Sequence, residues 1–362
     1  MKIAFFGSSL VSSYWNGAAT YYRGLLKALA ALGHDITFYE PDAFQRQQYR
    51  DIADPPWARV VVYPATDDHW RRAVDEAARE ADLIVKASGV GVFDEELEIA
   101  IPEAAHRALA VYWDVDAPAT LDSIAADPGH HLRRMVPRYD LVLTYGGGDP
   151  VVSAYRKVGA RHCEPIYNAL DPETHYPVAP KAPFTCDLSF LGNCLPDRQT
   201  RVMSFFFSAA ELLSDSEFVL GGSGWDPNWL PPNVRAVGHV GTADHNAFFC
   251  SAFATLNINR DSMARYGFSP PTRIFEAAGA GACLMTDAWD GIEYFLEPGA
   301  EILVATSGVE VAELFAALTP ERRDSIAKAA RAHVLAEHTY THRAHQVERL
   351  LSTSIAKSGV AA

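Results

Sequence analysis

Short apolar runs alternate with amphipathic stretches along almost all of this chain, and no other feature constrains its fold so tightly. KIAFFG (2–7) reads as a buried strand, TYYRGLLKALAALG (20–33) as an amphipathic helix stopped by Gly33, and HDITFYEPD (34–42) as the next strand. RVVVYP (59–64), ADLIVKAS (81–88), ALAVYWD (108–114) and DLVLTYGG (140–147) continue the series, with helices at 67–80 and 94–107. Apolar strands joined through helices pair in parallel and are covered on both faces, so the expected class is α/β with a doubly wound sheet.

The rhythm breaks once. NALDPETHYPVAPKAPF (168–184) carries four prolines and no period, which suits a connection between domains. A second series follows it: strand 186–192, helix 197–213, strands 217–222 and 234–240, helix 242–251, strand 254–259, helix 271–281 and strand 283–287. Strand 301–306, helices 308–318 and 320–337 and a last amphipathic helix at 341–357 complete it. The expected layout is therefore a domain over 1–170, a linker over 171–185, a second domain over 186–340 and a terminal helix over 341–362. At 362 residues and 49% apolar composition the chain is long enough for two such cores.

A formal net charge of −14 gives no global positive field for nucleic acid or an anionic membrane, so any anion must be bound locally. Five cysteines, an odd number without CxxC spacing, read as buried free thiols. MKIAFFG is too short for a secretory apolar core, and no apolar run approaches the roughly 20 residues of a membrane span. A cytoplasmic protein is expected, with no membrane or nucleic-acid partner and an oligomeric state the sequence leaves open.

SPPTRIFEAAGAGACLMTD (269–287) is the most informative stretch. Ligands of parallel sheets sit beyond the carboxyl ends of strands, where helix N-termini offer backbone N–H groups to anions. Ser269 is expected to cap the helix through its hydroxyl, with Pro270 and Pro271 in the first turn and Thr272 beside them. Arg273 supplies a fork suited to phosphate, and Glu276, one turn on, has two oxygens for the adjacent hydroxyls of a ribose. The alternative is an ordinary i,i+3 surface pair.

Other strand ends supply further candidates. Gly192 and Asn193 end a strand and Arg198 begins a helix, as a second diphosphate contact or a solvated arginine. Gly222 lies in the turn GGSGW, and His239 follows VRAVG. Asn259 and Arg260 end the strand that leads to the 271–281 helix, and Arg260 is either a phosphate or sugar contact or half of a salt bridge. In YWDVDAP, Asp114 and Asp116 end a buried strand; Asp114 is the candidate general base, with Asp116 as alternate or as a helix cap. Gly7, Asn16 and Gly17 belong to the polar, aromatic-rich loop after the first strand. His338, His342 and His345 form a helical face without a convergent carboxylate or cysteine, and no metal site is expected. GSSLVSSYWNG lacks the GxGxxG spacing of a dinucleotide turn, which argues against a nicotinamide dehydrogenase.

RIFEAAGAGACLMTD resembles the nucleotide-sugar motif of group 1 glycosyltransferases of the GT-B fold, and NALDPETHYP is similar to the segment that ends their first domain. YWDVDAPATL, NINRDSMARYGFSPPTRIFEAAGAG and TDAWDGIEYFLEPGAEILVA more narrowly resemble the spore-maturation CgeB-like glycosyltransferases. The resemblance implies two facing Rossmann-like domains with a central cleft, a last helix crossing back onto the first domain, a ribose held by Glu276 and an acceptor met by Gly7, Asn16, Gly17 and Asp116. It implies a nucleoside diphosphate sugar as donor, with no obligatory cofactor. Many retaining members carry a second Glu eight residues before the helix Glu, and that position is Phe268 here. A nucleotide-sugar 2-epimerase of the same fold and a non-catalytic nucleotide-binding protein are the rival readings.

Overall fold

The computed structural model describes residues 1–66 and 68–358. The chain divides into two compact units: Met1–Tyr167 together with the chain from Tyr340 onward, and Asn168–Thr339.

The first unit is built on a seven-stranded sheet of β1 (Lys2–Phe6), β2 (Asp35–Asp42), β3 (Ala58–Pro64), β4 (Leu83–Ala87), β5 (Leu109–Asp114), β6 (Leu141–Thr144) and β7 (Cys163–Pro165). All pairs are parallel, in the order β3-β2-β1-β4-β5-β6-β7. The inner strands β4 and β5 are buried along their whole length, which is why they read as unbroken apolar runs rather than alternating ones.

The terminal helix Tyr340–Ser358 packs on the helix Ala19–Ala31 of the same unit. Gly24 makes that approach close, because a Cβ there would stand 2.1 Å from the Tyr340 ring. Arg343 Nε donates to the Tyr167 carbonyl at 3.1 Å and Gln346 Nε2 to that of Pro165, also at 3.1 Å.

The second unit has a six-stranded parallel sheet of β8 (Cys186–Leu191), β9 (Phe218–Gly221), β10 (Val234–Gly238), β11 (Ala252–Asn257), β12 (Leu284–Asp287) and β13 (Leu303–Ala305), in the order β10-β9-β8-β11-β12-β13. Its core gathers Leu188, Phe190, Phe206, Phe218, Leu256 and Met285. In each unit the winding reverses once, between β1 and β4 and between β8 and β11, and a reversal opens a crevice at the carboxyl ends of its two strands.

The expected α/β class, with two Rossmann-like units, is the architecture found. Several elements went unanticipated: β7, and the helices Ala117–Ala126, Gly148–Val158 and Asp261–Tyr266. The helix expected over 67–80 spans His69–Glu80, and Asp67 lies outside the described residues. The stretch 171–185, expected as a linker, counts with the second unit. Its polar groups are tied down there: Asn246 Oδ1 accepts from the Tyr176 backbone at 3.3 Å, and Ser251 Oγ from that of Lys181 at 2.8 Å.

Cys163, Cys186 and Cys283 are buried free thiols, pushed up to about 12, 12 and 11 chiefly by desolvation, which keeps them unreactive. No helix among the described residues is long and apolar enough to cross a membrane.

Candidate functional site

The crevice between β8 and β11 collects most of the expected donor-side residues. The helix that faces it starts at Thr272, with Pro271 at the cap position (φ −69°, ψ 154°) and no side-chain cap. The expected cap does not form: consecutive prolines hold this stretch extended, and the buried Ser269 hydroxyl turns back to donate to the Gly267 carbonyl at 2.9 Å. Pro270 and Pro271 therefore precede the helix, and the Pro270 carbonyl is fixed by Asn168 Nδ2 at 2.8 Å. With proline at the cap, the first-turn N–H groups have no side-chain acceptor from that position.

Arg273 lies in that first turn, partly buried, with its guanidinium 5.3 Å from the Phe190 ring centre and Nη1 donating to Asn257 Oδ1 at 2.7 Å. Burial, and then the nearby Arg198 charge, push it down to about 9, so it remains a cation at neutral pH. Arg198 Nη1 reaches the Asn193 carbonyl at 3.4 Å. Gly192 leaves room for it, since a Cβ there would stand 3.0 Å from that same nitrogen. Two guanidiniums thus share the carboxyl end of β8, close enough to repel.

The turns after β8 and β9 are knitted together. Asn193 Oδ1 accepts from the Ser223 backbone at 2.9 Å, and Trp225 Nε1 donates to the Gly192 carbonyl at 2.9 Å. Gly222 has φ +122°, and a Cβ on it would lie 2.1 Å from the Gly192 oxygen, so only glycine fits. Asn193 and Gly222 shape the floor of the crevice.

After β11, Asn259 is buried and its backbone N–H is held by both Asp287 oxygens at 3.1 Å. Its Oδ1 accepts from Asn257 Nδ2 at 3.1 Å, while its own Nδ2 has no partner among the described residues. A buried donor left open in a ligand crevice suits an acceptor on a bound molecule.

Glu276 is 5% exposed, one turn after Arg273. Its Oε1 lies 4.0 Å from His175 Nε2, and ligand atoms of His175, His245 and Glu276 all fall within 4.8 Å of one another. This is a group capable of holding a metal ion, contrary to the expectation of none. Burial lowers the His245 pKa, so the ring is neutral at physiological pH.

Arg260 and His239 complete the donor-side candidates. Arg260 stands at the cap position of the helix Asp261–Tyr266 without a side-chain cap bond, and its Nε is ion-paired with Asp197 at 2.7 Å, the salt bridge that the sequence offered as one alternative. His239 is exposed on the turn after β10.

In the first unit the general-base assignment fails on geometry. Asp114 is completely buried, accepting from Ser88 Oγ at 2.7 Å, the Asp116 backbone at 3.0 Å, Thr120 Oγ1 at 3.1 Å and the Tyr155 hydroxyl. Burial raises its pKa, and its oxygens organise the ends of β4 and β5 rather than reaching an acceptor. Asp116 stands at the cap position of the helix Ala117–Ala126 without a side-chain cap bond.

Asn16 is likewise spent on its own loop: Oδ1 accepts from Ser8 Oγ at 2.8 Å, and Nδ2 donates to the Ser9 and Ser12 carbonyls at 2.9 and 3.0 Å. Gly7 packs under Phe38, where a Cβ would come within 2.5 Å of the ring. Gly17 is exposed, and a Cβ there would meet nothing within 4 Å.

Sequence reasoning missed Asn257, Asp287, His175 and His245. The first two sit at strand ends, where the carboxyl-end rule could have found them; the histidines meet only through the packing of segments 70 residues apart and leave no local signal.

A family model described as glycosyl transferase-like matches residues 198–349, which include the second-unit helix with Arg273 and Glu276. The whole chain also superposes on solved structures. Alr3699/HepE of Anabaena, in complex with UDP and glucose, aligns with a TM-score of 0.68 at 16% identity over 97% of this chain and 99% of that one. Sucrose-phosphate synthase of Thermosynechococcus elongatus aligns at 0.70 and 15% identity over 99% and 100%. BGT of phage T4, in complex with its UDP-glucose substrate, aligns at 0.62 and 12% over 98% and 99%. At these identities the likeness is one of fold. A search of curated proteins returned no match. The fold is thus the GT-B fold of these structures, and residues 198–349 are similar to glycosyl transferase-like proteins.

Proposed function

We propose that this chain transfers a sugar from a nucleoside diphosphate donor to an acceptor hydroxyl, without an obligatory metal, and that the β8–β11 crevice holds the donor. The observation that carries the reading is the pair Arg198 and Arg273, two repelling cations at a helix N-terminus whose shared field suits a diphosphate. As the glycosidic bond breaks, charge grows on the β-phosphate, and these groups stabilise it.

Glu276 orients the ribose, Asn259 Nδ2 supplies a donor to the ligand, and Gly192, Asn193, Gly222 and Thr272 shape the pocket. Arg260 acts here through Asp197 as a support for the loop. Because Asp114 is occupied, the base this reading retains is the departing phosphate itself. Gly17 and the loop around it remain the acceptor-side assignment, the CgeB-like subfamily is our finer placement, and the −14 charge argues for a small-molecule acceptor rather than nucleic acid in a cytoplasmic setting.

The complexes of the structural neighbours with UDP and UDP-glucose make uridine donors the first to try. Thermal shift against a panel of nucleoside diphosphate sugars, followed by product analysis with and without acceptor, tests the proposal. Stabilisation by one donor class and acceptor-dependent release of the diphosphate support it; conversion of the donor without acceptor would replace transfer with epimerisation.

A further inference from the structure

The second unit holds a constellation that sugar transfer does not require. His175 comes from the stretch after Asn168, His245 from the helix Thr242–Ser251 and Glu276 from the helix Thr272–Ala280, and their ligand atoms lie within 4.8 Å of one another. We propose that His175, His245 and Glu276 bind a transition-metal ion of the Zn²⁺ type, and that the bound ion inhibits the donor site by occupying the carboxylate assigned to ribose.

Both imidazoles are already arranged as ligands. His175 Nδ1 is paired with Thr174 Oγ1 at 3.0 Å, which leaves Nε2, buried in a residue 2% exposed, without a partner among the described residues. His245 Nδ1 is buried and equally unpartnered among the described residues. A metal-bound histidine characteristically has its other nitrogen fixed by an outer partner, and His175 follows that pattern.

The donor set also selects the metal. Two imidazoles and one carboxylate suit Zn²⁺ or Co²⁺ better than Mg²⁺ or Ca²⁺, which favour oxygen. Zinc bonds of about 2 Å to each ligand require the groups to draw together by only a fraction of the present 4.0 Å between His175 Nε2 and Glu276 Oε1. Water completes the coordination. The buried nitrogens gain the partner that they lack, which is the physical reason for an ion to enter.

Metal binding itself does not depend on the glycosyltransferase reading; the inhibition does, since it needs Glu276 to serve both ligands. The test uses the untagged chain. Co²⁺ titration, followed by visible absorption, and Zn²⁺ equilibrium dialysis should show a site of one ion per chain with a tetrahedral Co²⁺ spectrum. His245→Ala should abolish that spectrum and weaken Zn²⁺ by roughly 100-fold, and Thr174→Val, which removes the exposed outer partner of His175, by about tenfold. His106→Ala, in a loop of the first unit, should change neither.

Zn²⁺ stoichiometry and spectrum unchanged in His245→Ala, or no binding to the wild type, would overturn the site. In the second arm, Zn²⁺ should weaken UDP binding in the wild type and not in a folded His245→Ala. Tight metal binding with UDP affinity unaltered would overturn the inhibition and count against Glu276 as the ribose ligand, while leaving the metal site in place.

Discussion

Arg273 Nη1 donates to Asn257 Oδ1 across 2.7 Å, so the guanidinium at the helix start is tied to the last residue of β11 and held beside the β8 turn. The bond orients the fork and leaves its remaining N–H groups for a ligand. Arg273→Ala should therefore lower kcat by about 10²- to 10³-fold with the fold intact, as removal of a transition-state donor does. Arg273→Lys should recover little, because an ammonium cannot bond Asn257 and a phosphate as a fork. Steady-state kinetics with the best donor, alongside circular dichroism, measures both.

Glu276→Gln should weaken donor binding by about tenfold, corresponding to the loss of roughly 1.5 kcal/mol in charged hydrogen bonds to the ribose. The sharper readout is discrimination: the wild type should prefer a ribonucleoside diphosphate to its 2′-deoxy counterpart, and the variant should not. Calorimetric titration with both nucleotides checks this.

Gly222→Ala should destabilise the second unit by about 1–3 kcal/mol, since φ +122° strains an L residue and the Cβ would press on the Gly192 oxygen. The urea midpoint should fall, and donor affinity with it, because the same turn shapes the crevice.

Asp114→Asn separates structure from chemistry. Turnover per folded molecule should fall less than tenfold, whereas a general base would cost about 10²-fold or more. Burial holds the folded-state pKa of Asp114 above its unfolded value, so its contribution to stability is full below the unfolded pKa of about 3.9 and is lost as pH rises through the folded one. The stability of the wild type relative to Asp114→Asn should accordingly decline with rising pH above about 4, measured by urea unfolding at a series of pH values.

Much of the fold was legible because parallel strands buried on both faces leave long apolar runs, as LIVKA in β4 and LAVYWD in β5 do. Elements with weak contrast were lost: β7 is only three residues ending on Pro165, and the helix Gly148–Val158 starts in a glycine-rich run that reads as loop. In the site, Arg273 and Glu276 stood out because the carboxyl-end rule acts locally on one helix start. Asp114 was misread because its partners Ser88, Thr120 and Tyr155 come from separate segments, and Ser269 because two prolines displaced the helix start.

The central claim is that Arg198 and Arg273 together hold a diphosphate, and titration calorimetry of UDP against UMP tests it most directly. The wild type should bind UDP at least about tenfold more tightly than UMP, and Arg198→Ala and Arg273→Ala should each erase most of that preference. Equal affinity for the two nucleotides in the wild type, or a preference untouched in both variants, would contradict the account.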